Sequence, residues 1–302
     1  MRWAAAILVA LSAAACGSNQ ESEEPQPADQ TLARHEEAGD IAASLDRPEE
    51  AIAQYQEALR RAEAGDDLKA IAELSFSLAV AQLRANRPED ALATATRARG
   101  ELERRGGTQM PALALAEASA HYRLGNIEKA DQLAAELEQD GTSEVADGAS
   151  YLRGIIADER NDAAGLKAAL DHITDRTTPV RRADRSELQA RLDLRQRNFR
   201  SARLTALEAA KFRQDVLDYR GMARALSIAA LAAERDKDFE GAADLYLRAG
   251  RSAAAQSDPE TAKPWLVRAL ELTRNPKTAD AVKAALRSLG ENQSSSSASS
   301  SG

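Results

Sequence analysis

An all-α array of stacked helical hairpins is the fold class this sequence predicts. The first observation is a short pattern that returns about every forty residues: Asn or Asp, an apolar residue or Pro, two mostly polar residues, then Ala. It runs from Asp46 to Ala51, Asn86 to Ala91, Asn126 to Ala130, Asn198 to Ala202, Asp238 to Ala242 and Asp258 to Ala262. A fixed period of that size marks repeated helical units that bury their apolar faces on one another. The second observation is composition: alanine supplies roughly a fifth of the chain and aromatics only 4%. Small, helix-favouring residues in such numbers suit closely approaching helices. The third is the lack of β-branched residues alternating with polar ones, so no strand is expected.

Charge and cysteine usage narrow the function. The net charge of −8, from 40 basic and 48 acidic residues, argues against a nucleic-acid binder, whose footprint is a basic face. The one cysteine, Cys16, rules out an intrachain disulfide and a cysteine-rich zinc site.

At the amino terminus, Met1-Arg2 is a minimal positive region and residues 3–11 are apolar. Small residues from Ser12 to Ala15 then lead to Cys16. The run is too short to span a bilayer, so residues 1–15 read as a secretory signal. A cysteine closing such a signal resembles a bacterial lipobox, with Ala13 where that family prefers Leu. The resemblance implies acylation of Cys16, including palmitate-type chains, and membrane attachment. Gly17, in place of Asp, after the lipidated residue implies the outer membrane, facing the periplasm. Ordinary cleavage near Ala15 would instead leave a soluble periplasmic protein. Residues 16–30, rich in Ser, Glu, Pro and Gln, are expected to be a disordered tether.

The body spans residues 31–290. Aligned on Ala51, Ala91, Ala130, Gly165, Ala202 and Ala242, its units step by 40, 39, 35, 37 and 40 residues. Ala51, Tyr55 and Ala58 share one helix face. Asp46 with Glu49, and Asn86 with Glu89, fit an N-terminal capping box, with Pro48 and Pro88 in the first turn.

These residues resemble the tetratricopeptide repeat family. Gly39, Ala51, Tyr55 and Ala58 carry the likeness in unit one, and Leu78, Ala79, Ala91 and Ala98 in unit two. Tyr122, Gly125, Ile127 and Ala130 carry it in unit three. Phe199 with Ala202, and Phe239 with Ala242, Tyr246 and Ala249, carry it later. Gly250, Ala262, Leu266 and Ala269 then read as a further unit that reuses the preceding helix. The family's early Trp is missing, and the spacing exceeds its usual period of about 34 residues. The resemblance implies a right-handed superhelix whose first helices line a groove. The last helix, residues 277–289, reads as a solvating cap, and the Ser-rich residues 291–302 as a disordered tail.

No residues suggest catalysis. His35, His121 and His172 are scattered, and no phosphate loop, nucleophile elbow or HExxH spacing occurs. The chain is expected to be no enzyme and to need no metal or cofactor. A partner-binding groove is expected from Phe76, Val80, Leu83, Leu115, Ser119 and Tyr122, with the arginine ladder Arg84, Arg123, Arg195 and Arg235 beside them. A competing surface is the basic segment 176–203, nine arginines against three acids with Asp175 just before it, and with Arg181, Arg182, Arg185 and Arg191 at its centre. The expected function is an outer-membrane-anchored scaffold that docks envelope proteins or peptides. The alternative is a periplasmic helical protein that binds a solute or glycan.

Overall fold

A computed structural model describes residues 30–299 of the chain. The signal, Cys16, all but the end of the tether and the last residues of the tail lie outside the described residues. Fourteen helices and no strand are found among the described residues. They pair as seven hairpins: α1 (Gln30–Ser44) with α2 (Pro48–Ala64), α3 (Leu68–Arg84) with α4 (Pro88–Arg104), α5 (Pro111–Arg123) with α6 (Ile127–Asp140), and α7 (Ser143–Glu159) with α8 (Ala163–His172). The rest are α9 (Pro179–Arg195) with α10 (Phe199–Asp215), α11 (Tyr219–Arg235) with α12 (Phe239–Ala255), and α13 (Pro259–Leu272) with α14 (Pro276–Ser299).

One turn type builds most of the array. The second residue past each such helix sits at positive φ, as at Asp46 (53°), Asp66 (55°), Asn86 (58°), Arg197 (64°) and Lys237 (67°). The next N–H then reaches back to a helical carbonyl, for example Arg47 N to Ala42 O at 2.9 Å and Asp238 N to Ala233 O at 2.9 Å. This left-handed closure satisfies carbonyls that the helix end leaves free. The N–H donor is already the N-cap of the next helix, so only three residues separate the two helices. From α9 to α12 a 17-residue helix and this turn repeat, so that helices start at Pro179, Phe199, Tyr219, Phe239 and, for α13, Pro259. The forty-residue sequence period is therefore two equal strokes.

The turn geometry corrects the capping-box expectation. Asp46 and Asn86 hold the left-handed position, and the N-caps are Arg47 and Arg87, neither with a side-chain cap bond. Pro48 and Pro88 occupy the first helical position, and the intervening Arg47 and Arg87 set the helix start one residue later relative to Asp46 and Asn86. Asp and Asn tolerate the left-handed conformation better than most residues, which suits them to the vacated place. Where the acid directly precedes the first helical residue it does cap: Asp238 accepts from Gly241 N at 3.0 Å, and Asp258, followed by Pro259, from Thr261 N at 3.2 Å.

The key alanines Ala51, Ala91, Ala130, Ala202, Ala242 and Ala262 are all fully buried. Unit four differs from the expected register. Asp162 is the N-cap of α8, so Leu166, fully buried, holds the position of the key alanine, and Gly165 stands one residue before it. Gly165 is matched by Gly241, each donating its N–H to a capping Asp.

Packing follows neighbours. Consecutive helices pack along the whole chain, and α3, α5, α7, α9 and α11 each also touch the next of that series, forming an inner layer. Apolar side chains form a string of five clusters along the array, as expected when each hairpin buries its face on the next. At the carboxyl end the alternation shifts, because α12 packs against α14. Gly250 of α12 lies under Leu266 of α13, where an added Cβ would meet Leu266 Cγ at 2.6 Å. Helix α12 thus closes one hairpin and opens another. Helix α14 runs to Ser299, past the end expected near Leu289. No Pro or Gly interrupts residues 291–299.

Candidate functional site

The inner layer curves around a groove. Across it, Arg123 at the end of α5 feels Arg224 and Arg220 of α11, and Asp46 of the α1–α2 turn feels Arg220. Burial, together with those two like charges, lowers the proton affinity of Arg123.

The expected groove residues divide by depth. Leu83 is buried in the core, while Phe76, Val80, Leu115, Ser119 and Tyr122 are half-buried. Phe76, Val80 and Arg84 meet Tyr55 in a cleft of about 280 Å³ between the first two hairpins. Tyr55 donates to Asp40 at 2.7 Å, and burial followed by that contact pushes its phenol well above the ordinary range. Tyr122 packs against two core clusters and donates to Glu159, so it fastens α5 to α7 as well as facing the groove.

Three of the four ladder arginines staple neighbouring hairpins. Arg84 donates to Ala43 O at 3.0 Å, Arg123 to Leu83 O at 2.6 Å, and Arg195 to Asp158 O with a second bond to Asp158 Oδ1 at 2.8 Å. Each guanidinium covers carbonyls at the C-terminal end of the preceding inner helix, where the dipole favours a cation. Arg235 is exposed.

The basic segment is largely matched from within the fold. Arg181 pairs with Asp184 at 2.7 Å, and Arg191 with Asp158 at 2.8 Å and Glu187 at 3.0 Å. Arg185 donates to Leu170 O and Ile173 O at 2.9 and 2.8 Å, closing the end of α8. Arg182, exposed, lies over the Phe212 ring at 4.1 Å. Arg200 and Arg203 pair with Asp236 and Asp238, which lie outside the segment.

At the centre of these pairs is a buried ion cluster that sequence reasoning missed. Glu187, 0% exposed, accepts from Arg224 at 2.8 Å, Arg191 at 3.0 Å and the Tyr151 hydroxyl at 2.9 Å. Asp184, 2% exposed, accepts from Arg213 at 2.5 Å, itself 6% exposed. Burial would raise the Glu187 carboxyl, but Arg224, Arg191 and Arg213 outweigh it and hold the group well below the usual carboxylate range. Burial, with Glu187 beside it, pushes the Tyr151 phenol up to about 12, against the pull of Arg224. The partners come from α7, α9, α10 and α11, as far apart as Tyr151 and Arg224, so no local signal could reveal the cluster. Among the described residues no group of His, Cys, Asp and Glu is placed to hold a metal ion. No helix there is long and apolar enough to cross a membrane.

The first hairpin decides the comparison with known proteins. Residues 35–64 match the tetratricopeptide repeat family. This is the hairpin in which Gly39 lets α1 approach Tyr55 of α2, an added Cβ there falling 2.6 Å from Tyr55 Cε1. Among solved structures, a tetratricopeptide repeat protein from Parabacteroides merdae is similar at 19% identity, over 86% of this chain and 99% of that one, with a TM-score of 0.45. The TPR2AB domain of yeast Sti1, in a complex with pHSP90, is similar at 16% identity over 79% of this chain and 98% of that one, with a TM-score of 0.33. No curated protein matches the chain. The fold is a tetratricopeptide-like solenoid, an architecture that presents an extended surface for binding other proteins.

Proposed function

We propose that this protein is a scaffold lipid-anchored to the outer membrane, holding its helical array in the periplasm to dock a segment of another envelope protein. The anchor half rests on Cys16, the sole cysteine, closing a secretory signal. Several acyl chains would hold the protein firmly where one would not. The docking half rests on one observation: Phe76, Val80 and Tyr55 open apolar surface into a cleft of the inner layer, with Arg84 at its side. An apolar floor next to a fixed cation suits a peptide whose side chains supply affinity and whose acidic groups set direction.

Capture of partners from solubilised envelopes by wild-type and variant protein tests the docking half. Phe76→Ala should weaken capture by about 2 kcal/mol, as loss of a central aromatic anchor does. Arg84→Ala should cost less than about 1 kcal/mol, since a charge contact that water still reaches is weak and screened by salt. Equal capture by wild type and Phe76→Ala would overturn the docking reading. For the anchor, acyl labelling should mark the wild type, and Cys16→Ser should release the protein into the membrane-free fraction.

A further inference from the structure

The α10–α11 turn returns to the first hairpin. Six helices come between α3 and α10 in sequence, yet Val216 at the C-cap of α10 lines the same cleft as Tyr55, Phe76, Val80 and Arg84. A second cleft, of about 440 Å³, lies where Asp46, Pro48 and Glu49 of the first hairpin face Tyr219, Arg220 and Gln256. Two separate clefts therefore share the same pair of walls. Asp46 registers that proximity: burial raises its carboxyl, Arg84 and Arg220 pull it down, and Asp218 beside Leu217 pushes it up.

The turn itself is unusual. Other turns of this kind place Asp, Asn, Arg, Lys, Ser or Gly at the left-handed position, but here it is Leu217, at φ 56° and exposed. A bulky apolar residue held in a conformation that L side chains rarely adopt points to selection for something besides helix termination.

We propose that the array closes on itself, with the α10–α11 turn seating Val216 in the cleft between the first two hairpins, so that the groove stays shut at that end until a partner displaces the turn. The inference rests on the groove being the docking surface and adds its regulation. A segment that docks there must first compete with Val216, which lowers apparent affinity by the fraction of molecules that are open.

The test needs no partner. In the full chain carrying Cys16→Ser, Ser77→Cys places a thiol in the cleft and Ser119→Cys a thiol on α5, away from it. The probe is a maleimide bearing a polyethylene glycol chain, too bulky to pass the closed turn. Adding Val216→Asp should speed labelling of Ser77→Cys by about tenfold or more, the change expected when a form populated about ten to one is lost. Labelling of Ser119→Cys should not change. Val216→Ala should give a smaller increase, and spin labels at Glu49→Cys and Ala255→Cys, both lining the second cleft, should move apart with Val216→Asp. Unchanged labelling of Ser77→Cys with unchanged spin-label distance would overturn the closure, as would equal acceleration at Ser119→Cys, which would indicate general loosening. If Val216→Asp opens the cleft but Phe76→Ala leaves partner capture intact, closure stands and the docking reading falls. The opposite pair of results removes closure alone.

Discussion

Ala91 shows how little space this array leaves at its helix crossings. It is fully buried at the start of α4, and its counterparts in other hairpins are equally enclosed. Ala91→Leu should overpack the crossing and cost about 1–3 kcal/mol, and Ala91→Glu should cost more by stranding a carboxylate. Thermal melts read both. Glu187 is the opposite case, a charge that the interior accepts because arginines surround it. Its folded carboxyl titrates well below the unfolded value of about 4.3, so the unfolded chain takes up the proton first. The stability it contributes is complete above about pH 5 and is lost as pH falls toward the folded value. Glu187→Gln should cost about 3–5 kcal/mol near neutral pH, because Arg224 and Arg191 lose a buried partner. It should also shrink the loss between about pH 5 and 3, measured by urea unfolding at each pH.

The unit of construction is a helix plus a left-handed turn, and the residue at that turn sets part of the cost. Gly125 holds φ 77° with open space around a would-be Cβ, so Gly125→Ala tests the backbone term by itself. It should cost roughly 1 kcal/mol. Lys237, exposed at φ 67°, should behave in reverse. Lys237→Gly should gain roughly 0.5 kcal/mol after glycine's greater chain entropy is subtracted. Denaturant midpoints for the two variants should move in opposite directions. The repeat pattern made these elements legible, since Asn or Asp followed by a buried alanine recurs within hairpins one, two, three, five and six and again between α12 and α13. The shift of register there was not legible, because Asp162-Ala163-Ala164-Gly165 offers an alanine-like Gly one residue too early.

Across the molecule, stability passes from hairpin to hairpin, and a short α8 of ten residues interrupts the regular stroke. The cluster of Asp184, Glu187, Arg213 and Arg224 spans this region, with Tyr151 of α7 and Arg213 of α10 in ring contact at 5.5 Å. Ionic contacts between helices that are not sequence neighbours couple units that a linear array would leave independent. Arg191→Met, which removes the ion pair from α9 to Asp158 of α7, should therefore split unfolding, with hydrogen exchange showing α1–α8 and α9–α14 opening at different denaturant concentrations. Wild type should open them together. A single shared transition in the variant would show that apolar contacts alone couple the halves.

The sequence by itself determined the all-helical class, the hairpin period and the buried alanines, because small residues at fixed spacing act through local helix geometry and neighbour packing. It also brought Phe76, Val80 and Arg84 to notice, since they recur on one helix face. Tertiary structure decided what the charged residues do. Arg84, Arg123 and Arg195 cap carbonyls one hairpin away, and Arg181 and Arg191 meet acids in the interior. A net charge counted along the chain cannot show this, because ion pairs depend on which helices the superhelix brings side by side. The same curvature brings Val216 to the first hairpin, a contact set by the angles of many turns added together and by no local pattern.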